Sequence, residues 1–280
     1  MCGFLFPQPQ PPPSPQIRLG ESFLYFRYSV YMASTGPRIR QLWWLFAVIF
    51  VIGVGGVLVW KAGTKSPESS GPPLITANFI DPAKVERISK FRSCQGHVVV
   101  PQDGSETKRN MKHYLMIQEA YQGKQVEVRA PYDSTVSIRE LSSQDLEGEI
   151  SFRVRGSDWS MSILHLVVLD TMKNDQEVKA GDLVGHVPDK GVDLVYSAGG
   201  EGVKMIDGWE SPYGALDSVF NHMSDVVFSG YQSDTIKTRQ DMSYAKEFRD
   251  QNPCHLENAN GAQDAQLNDH DHPEDWVNFL

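Results

Sequence analysis

Two segments of the chain echo one pattern, and that echo restricts the fold more than any other feature of the sequence. Residues 126–138 (VEVRAPYDSTVSI) and 176–187 (QEVKAGDLVGHV) are each a short run with β-branched residues, broken by a turn pair, Tyr132-Asp133 in one and Gly181-Asp182 in the other. β-Branched side chains lose freedom in a helix and pack well on a pleated surface, while Asp and Gly supply tight corners. A third apolar run, 162–169 (SILHLVVL), lies between the two phrases. The pattern predicts a small β module over residues 112–198.

Ahead of the module, an unbroken apolar run opens at Leu42 and closes at Trp60. Its roughly 19 residues suffice to cross a hydrocarbon core of about 30 Å as a helix. Trp43, Trp44 and Trp60 stand at its two ends, where interfacial indoles are favoured. Arg27, Arg38 and Arg40 precede it, against Lys61 and Lys65 beyond, which predicts a single-pass anchor with its N-terminus cytoplasmic and the rest of the chain extracytoplasmic. A cleaved signal peptide is the competing reading. It is disfavoured by the length of the run and by the lack of a small-x-small site before Lys61. The proline-rich leader cannot form helix interior, so 1–41 is read as a disordered cytoplasmic segment. Residues 61–77 read as a Ser/Pro/Gly linker.

With 280 residues and 40% hydrophobic content, the chain can bury one core of ordinary domain size beside the anchor and tails. The net charge of -9 argues against nucleic acid as a partner. Cys2, Cys94 and Cys254 form no close pair, which excludes a CxxC site and allows at most one disulfide. Cys94 and Cys254 lie on the same side of the apolar run and are the candidate pair; two free buried thiols remain the alternative.

Around the module, Asp81 followed by Pro82 reads as the N-cap and first position of a helix with Val85 and Ile88 on one face. Residues 91–100 read as an apolar strand and Gly199 to Gly202 as a loop. Leu216, Val219, Phe220, Met223 and Val227 fall at helical spacing. A second helix is predicted at 239–250, capped by Thr238 and stopped by Pro253, with Met242, Ala245 and Phe248 as its face. From His255 the chain carries no Lys or Arg but six acidic residues, and reads as a solvated acidic tail. The domain plan is therefore 1–41, the 42–60 span, the 61–77 linker, a 78–232 β domain with a packed helix, a 233–254 C-terminal helix and a disordered 255–280 tail.

In order along the chain, Val128-x-Ala130-Pro131-x-Asp133-x-Thr135-Val136, Leu164-His165-Leu166, the VKAGDLVG of 178–185 and Gly191-x-x-Leu194-x-Tyr196 resemble the core of the lysostaphin-type zinc metallopeptidases. The resemblance covers about a third of the chain. It implies a mainly β, barrel-sandwich hybrid-like domain with flanking helices. It also implies zinc held by a His-x-x-x-Asp pair and the last histidine of a His-x-His pair, with a non-ligand histidine before a leucine. Here Lys112 and Met116 stand where the first pair belongs, and Asp193-Leu194-Val195 replaces His-x-His. His165 alone matches. What the resemblance implies is thus a degenerate relative without metal or cofactor, with His165, Asp193, Tyr196 and His113 as candidate binding residues and a cell-wall peptide or an envelope protein as partner. His97, His113, His165, His186 and Asp193 are the side chains available to rebuild a metal site, but none lies at short ligand spacing with another. The competing readings are an active envelope metallohydrolase whose ligands lie elsewhere, and an adaptor or lipoyl-like module.

Overall fold

The computed structural model describes residues 71–123, 125–142, 147–188, 190–257, 266–267 and 272–279. All of these belong to one of the two compact units of the chain, Lys65–Leu280. The leader, the apolar run at 42–60 and most of the linker lie outside the described residues, and with them the expected anchor. No helix among the described residues is long and apolar enough to cross a membrane.

The described chain is mainly β. Its strands are β1 (Val85–Ser89), β2 (His113–Ile117), β3 (Val126–Arg129), β4 (Ser134–Ser142), β5 (Glu147–Arg153), β6 (Trp159–Val168), β7 (Glu177–Val178), β8 (Leu183–Val187), β9 (Gly191–Ile206), β10 (Trp209–Asp217) and β11 (Trp276–Asn278). Hydrogen-bonded neighbours run β11-β1-β2-β9-β6-β5-β4-β7, with β10 on β9, and β8 joining β3 to β6. The strands of the path pair antiparallel. Period-2 patterning places the core: on β5 the inward positions are Gly148, Ile150 and Phe152, and on β2 they are His113, Leu115 and Ile117.

The two echoing phrases meet at their turns. Asp133 Oδ1 accepts from the Ala180 N–H at 2.9 Å, and Ala130 is bonded to the facing turn on both sides, accepting from Gly181 N at 2.9 Å and donating to Asp182 O at 2.8 Å. Gly181 adopts φ +88°, a conformation that a Cβ disfavours. β6 joins β8 and β3 to the rest of the sheet. Its first part pairs with β5 and β9, and its last two residues, Val167 and Val168, pair with His186 and Gly185 of β8.

Several expectations for the flanking segments are corrected. Asp81 does cap, accepting from Ala83 N at 3.1 Å, but only a three-residue 3-10 turn follows before β1 begins. Val85 and Ile88 are both buried because a bulge between Val85 and Arg87 shifts the strand face by one residue, so i,i+3 spacing here is written by a bulge. Residues 91–100 form no continuous strand; they make isolated bridges to Asn110, Ser243 and Gln266. Gly199 to Gly202 is the arm of β9 rather than a loop, and Gly200 allows the Gln102 amide to lie against its backbone, where Glu201 N donates to Gln102 Oε1 at 2.9 Å.

The face of Leu216, Val219, Phe220, Met223 and Val227 is buried as expected, yet no single helix carries it. Leu216 is the last residue but one of β10, Ser218 caps a 3-10 turn at Val219–His222, and Ser224 caps a fresh helix, α1 (Asp225–Ser229). Two serine caps within seven residues break the helix that the periodicity suggests. The 239–250 segment splits likewise into a 3-10 turn, Arg239–Met242, and α2 (Lys246–Gln251). Arg249 is the buried residue of α2, and Phe248 is half exposed.

The acidic tail is not a solvated strand where it is described. Trp276–Asn278 pairs with β1, and Asp275 is fully buried, accepting from Cys94 N at 2.6 Å and facing the Arg249 guanidinium at 3.3 Å. Its apolar residues, Leu267 and Val277, are buried too. The linker likewise ends early: Ile75 is fully buried and bridges to Met223. Cys94 and Cys254 form a disulfide with Cα atoms 5.4 Å apart, inside a second apolar cluster that also holds Val98, Val99, Val195 and Leu267.

Candidate functional site

A groove of about 620 Å³ opens where β6, β9, the start of β2 and the 91–100 segment converge. β6 reaches it through a bulge. Leu164 pairs with Glu149 and Leu166 with Gly148, so His165 is the extra residue between them, at φ +62°. A left-handed residue in mid-strand re-aims its side chain, and bulges are used in that way beside functional sites. The half-exposed His165 ring is thereby placed between two carboxylates, with Nδ1 at 2.7 Å from Glu147 Oε2 and Nε2 at 3.5 Å from Asp193 Oδ2.

Asp193 lies on β9, opposite Leu164 on one side and Tyr114 on the other. Its Oδ2 accepts from Lys112 Nζ at 2.7 Å, and both side chains are almost wholly buried. Lys112 Nζ also lies 2.9 Å from His97 Nε2 and 4.6 Å from the centre of the Tyr114 ring. Burial by itself would lower the lysine pKa, but the Asp193 carboxylate, with Tyr114, raises it above the ordinary value. The ammonium is therefore a fixed charge. His97 is driven the other way, to about 3, by burial and then by the Lys112 cation, and so is neutral. Its ring stacks on Trp209 at 4.0 Å. The walls are apolar, with Leu164 and Val195 on one side and Trp209 and Tyr213 on the other, while Val203 and Met205 project from the β9–β10 arm more than half exposed.

Of the four candidate binding residues, His165 and Asp193 line this groove. His113 is in the core: Nδ1 lies 2.7 Å from Ser89 O and Nε2 2.9 Å from Ser218 Oγ, with Phe91 and Phe220 against the ring. Tyr196 is buried as well, stacked on His222 at 4.2 Å with its hydroxyl donating to Pro73 O at 2.6 Å. His186 sits on β8, across from Glu127 and Val167. Lys112 and Trp209 also line the groove and were not among the candidates, and His97 was named only for a metal site.

Whether these residues suit a zinc ion follows from the chemistry at the three ligand positions of the resemblance. Lys112 brings a cation with no lone pair, Val195 packs into the second apolar cluster, and Met116 offers a thioether on β2. They do not fit one. Among the described residues no three His, Cys, Asp or Glu side chains gather as a metal centre.

No protein-family model matches the chain, and no curated protein matches it. Solved structures do. Lysostaphin from Staphylococcus simulans matches at 10% identity and TM-score 0.31, over 54% of this chain and 58% of its own. A chain of the SpoIIQ–SpoIIIAH pore-forming complex matches at 14% identity and TM-score 0.35, over 59% of this chain and 100% of its own. Csd3 from Helicobacter pylori matches at 10% identity and TM-score 0.27, over 41% of this chain, which spans 32% of that one. The chain is thus similar, over part of its length, to these solved structures. The site is read from the chain's own residues.

The core histidine sets a pH dependence. Burial lowers the His113 pKa from 6.5 to about 4. Between those values the unfolded chain binds a proton that the folded chain refuses, so stability falls as pH drops through this window and is fully present above it. The loss reaches about 3 kcal/mol by pH 4, and His97 acts in the same direction. Urea unfolding between pH 7 and pH 4 should show this fall, and His113→Gln should flatten it; an unchanged slope in that variant would rule out His113 as its source.

Proposed function

We propose that the chain is a membrane-tethered, peptidase-like domain that binds peptide at the cell envelope and does not hydrolyse it, with the groove beside His165 as its binding surface. One observation carries this reading: the buried Lys112 ammonium, 2.7 Å from Asp193, stands at the heart of the groove. A zinc hydrolase works by acidifying a bound water and polarising a carbonyl. An ammonium held by a carboxylate can orient a ligand by hydrogen bonding, but it repels a divalent ion and generates no hydroxide. The apolar walls and the exposed, strained His165 suit recognition of an extended peptide. The tether is supported by the 42–60 run and its flanking arginines, and the envelope by the resemblance of the β module.

The test uses the full chain in detergent with soluble peptidoglycan peptides. Wild type should bind them, His165→Ala should bind about tenfold more weakly, which is about 1.4 kcal/mol, and mass spectrometry should find no cleavage product with either. Released products, or equal binding by both chains, would defeat the proposal.

A further inference from the structure

A second cavity, of about 480 Å³, shares no lining residue with the groove; β11 lines it together with Gln240 and Asp241 of the Arg239–Met242 turn and Ser243 after it. β11 ends the strand order, and the bonds Lys90 N to Asp275 O and Phe279 N to Glu86 O fix which of its groups meet β1. In an antiparallel ladder alternate residues turn both N–H and C=O to the same neighbour, so Trp276 O and Asn278 N–H point to the open side of the strand. Trp276 is partly exposed at the cavity, and the Arg87 guanidinium steadies its ring from 4.3 Å. Asp241 Oδ2 accepts from Thr238 N at 2.7 Å and Lys237 N at 2.9 Å; these bonds hold its carboxyl below the usual range, so it is ionised. Its Oδ1 has no partner among the described residues, and neither have the side-chain amides of Gln240 and Asn278. Ser243 Oγ is buried without a partner, a state that native proteins rarely leave.

These groups select a ligand class. Two carboxylates, Asp241 and Glu274, outnumber the one ammonium, Lys90, and disfavour a phosphate or other anion. Amides and open backbone groups donate as well as accept, which suits hydroxyls, and an indole offers a flat apolar face. A pyranose ring presents both, with hydroxyls around its rim and C–H groups on its face. We propose that this cavity is a saccharide-binding site, in which a sugar packs its C–H face on Trp276 while its hydroxyls bond Asp241, Gln240, Asn278 and the open edge of β11. The site does not rest on the reading of the groove.

The experiment titrates cellotriose, maltotriose and N-acetylated chitotriose into the full chain in a sugar-free detergent, followed by saturation-transfer NMR and isothermal titration. Wild type should bind at least one of them, with transfer strongest at the ring C–H protons. Trp276→Leu should abolish that binding, while Trp276→Phe, which keeps a flat ring, should retain part of it. Gln240→Ala and Asn278→Ala, at exposed positions, should each weaken it about fivefold, the scale of one hydrogen bond. These two variants carry the test if Trp276→Leu does not fold. No saccharide bound by wild type overturns the proposal, and so does binding that Gln240→Ala and Asn278→Ala leave unchanged, which belongs to another part of the chain. An extended peptide that wild type binds and Trp276→Leu loses, with no saccharide bound, would make the edge of β11 a strand-docking site and overturn it likewise.

Discussion

Replacing Cys94 and Cys254 together by serine should lower the unfolding free energy by up to about 5 kcal/mol, the loop-closure value for so long a loop. The bridge joins residues 160 apart in sequence. It ties the segment carrying His97 to the chain just beyond α2. Part of that restraint is shared. Asp275 also binds Cys94 N and faces Arg249, and Arg249 Nε donates to Arg92 O at 2.8 Å, so the same corner is held by polar contacts as well. Urea denaturation of the double-serine chain measures the balance. A loss below about 1 kcal/mol, the scale of an ordinary hydrogen bond, would mean that these contacts close the loop unaided.

The second large effect concerns the buried ion pair. Asp193→Leu alone leaves the Lys112 ammonium buried beside a neutral His97, and Lys112→Met alone leaves a buried carboxylate; each should cost about 3–5 kcal/mol. The double variant removes both charges and should return to within about 1 kcal/mol of wild type, because replacing a whole buried pair by apolar groups is often neutral. Chemical denaturation of the four chains gives the coupling energy directly. Costs that simply add would show that Lys112 and Asp193 are not partners.

What could be read in the sequence and what could not divide along physical lines. The β phrases were legible because turn chemistry and β-branched alternation act locally, and their strands are present as β3, β4, β7 and β8. The segments around them were misread where local signals are ambiguous. Val85 and Ile88 have helical spacing, but a bulge produces the same spacing in a strand, and bulges leave no mark in one sequence. Asp275 and Arg249 look like surface charges in polar stretches, yet they bury each other across 26 residues of chain. In the groove, His165 and Asp193 were found through the resemblance. His113 was drawn in by its residue type, although period-2 alternation along β2 puts it with Leu115 and Ile117 in the core. That same alternation sets Lys112 on the opposite face with Tyr114, the one local signal for Lys112. His97 and Trp209 lie more than 100 residues apart in sequence, and only the tertiary fold stacks them.

The central claim is that a lysine ammonium holds the place of a metal in this groove. Elemental analysis of the full wild-type chain, purified without chelator and then dialysed against micromolar zinc, tests it most directly. The account predicts zinc well below one equivalent per chain, with no peptidoglycan hydrolysis before or after dialysis. One zinc per chain, together with hydrolysis that a chelator abolishes, would contradict it.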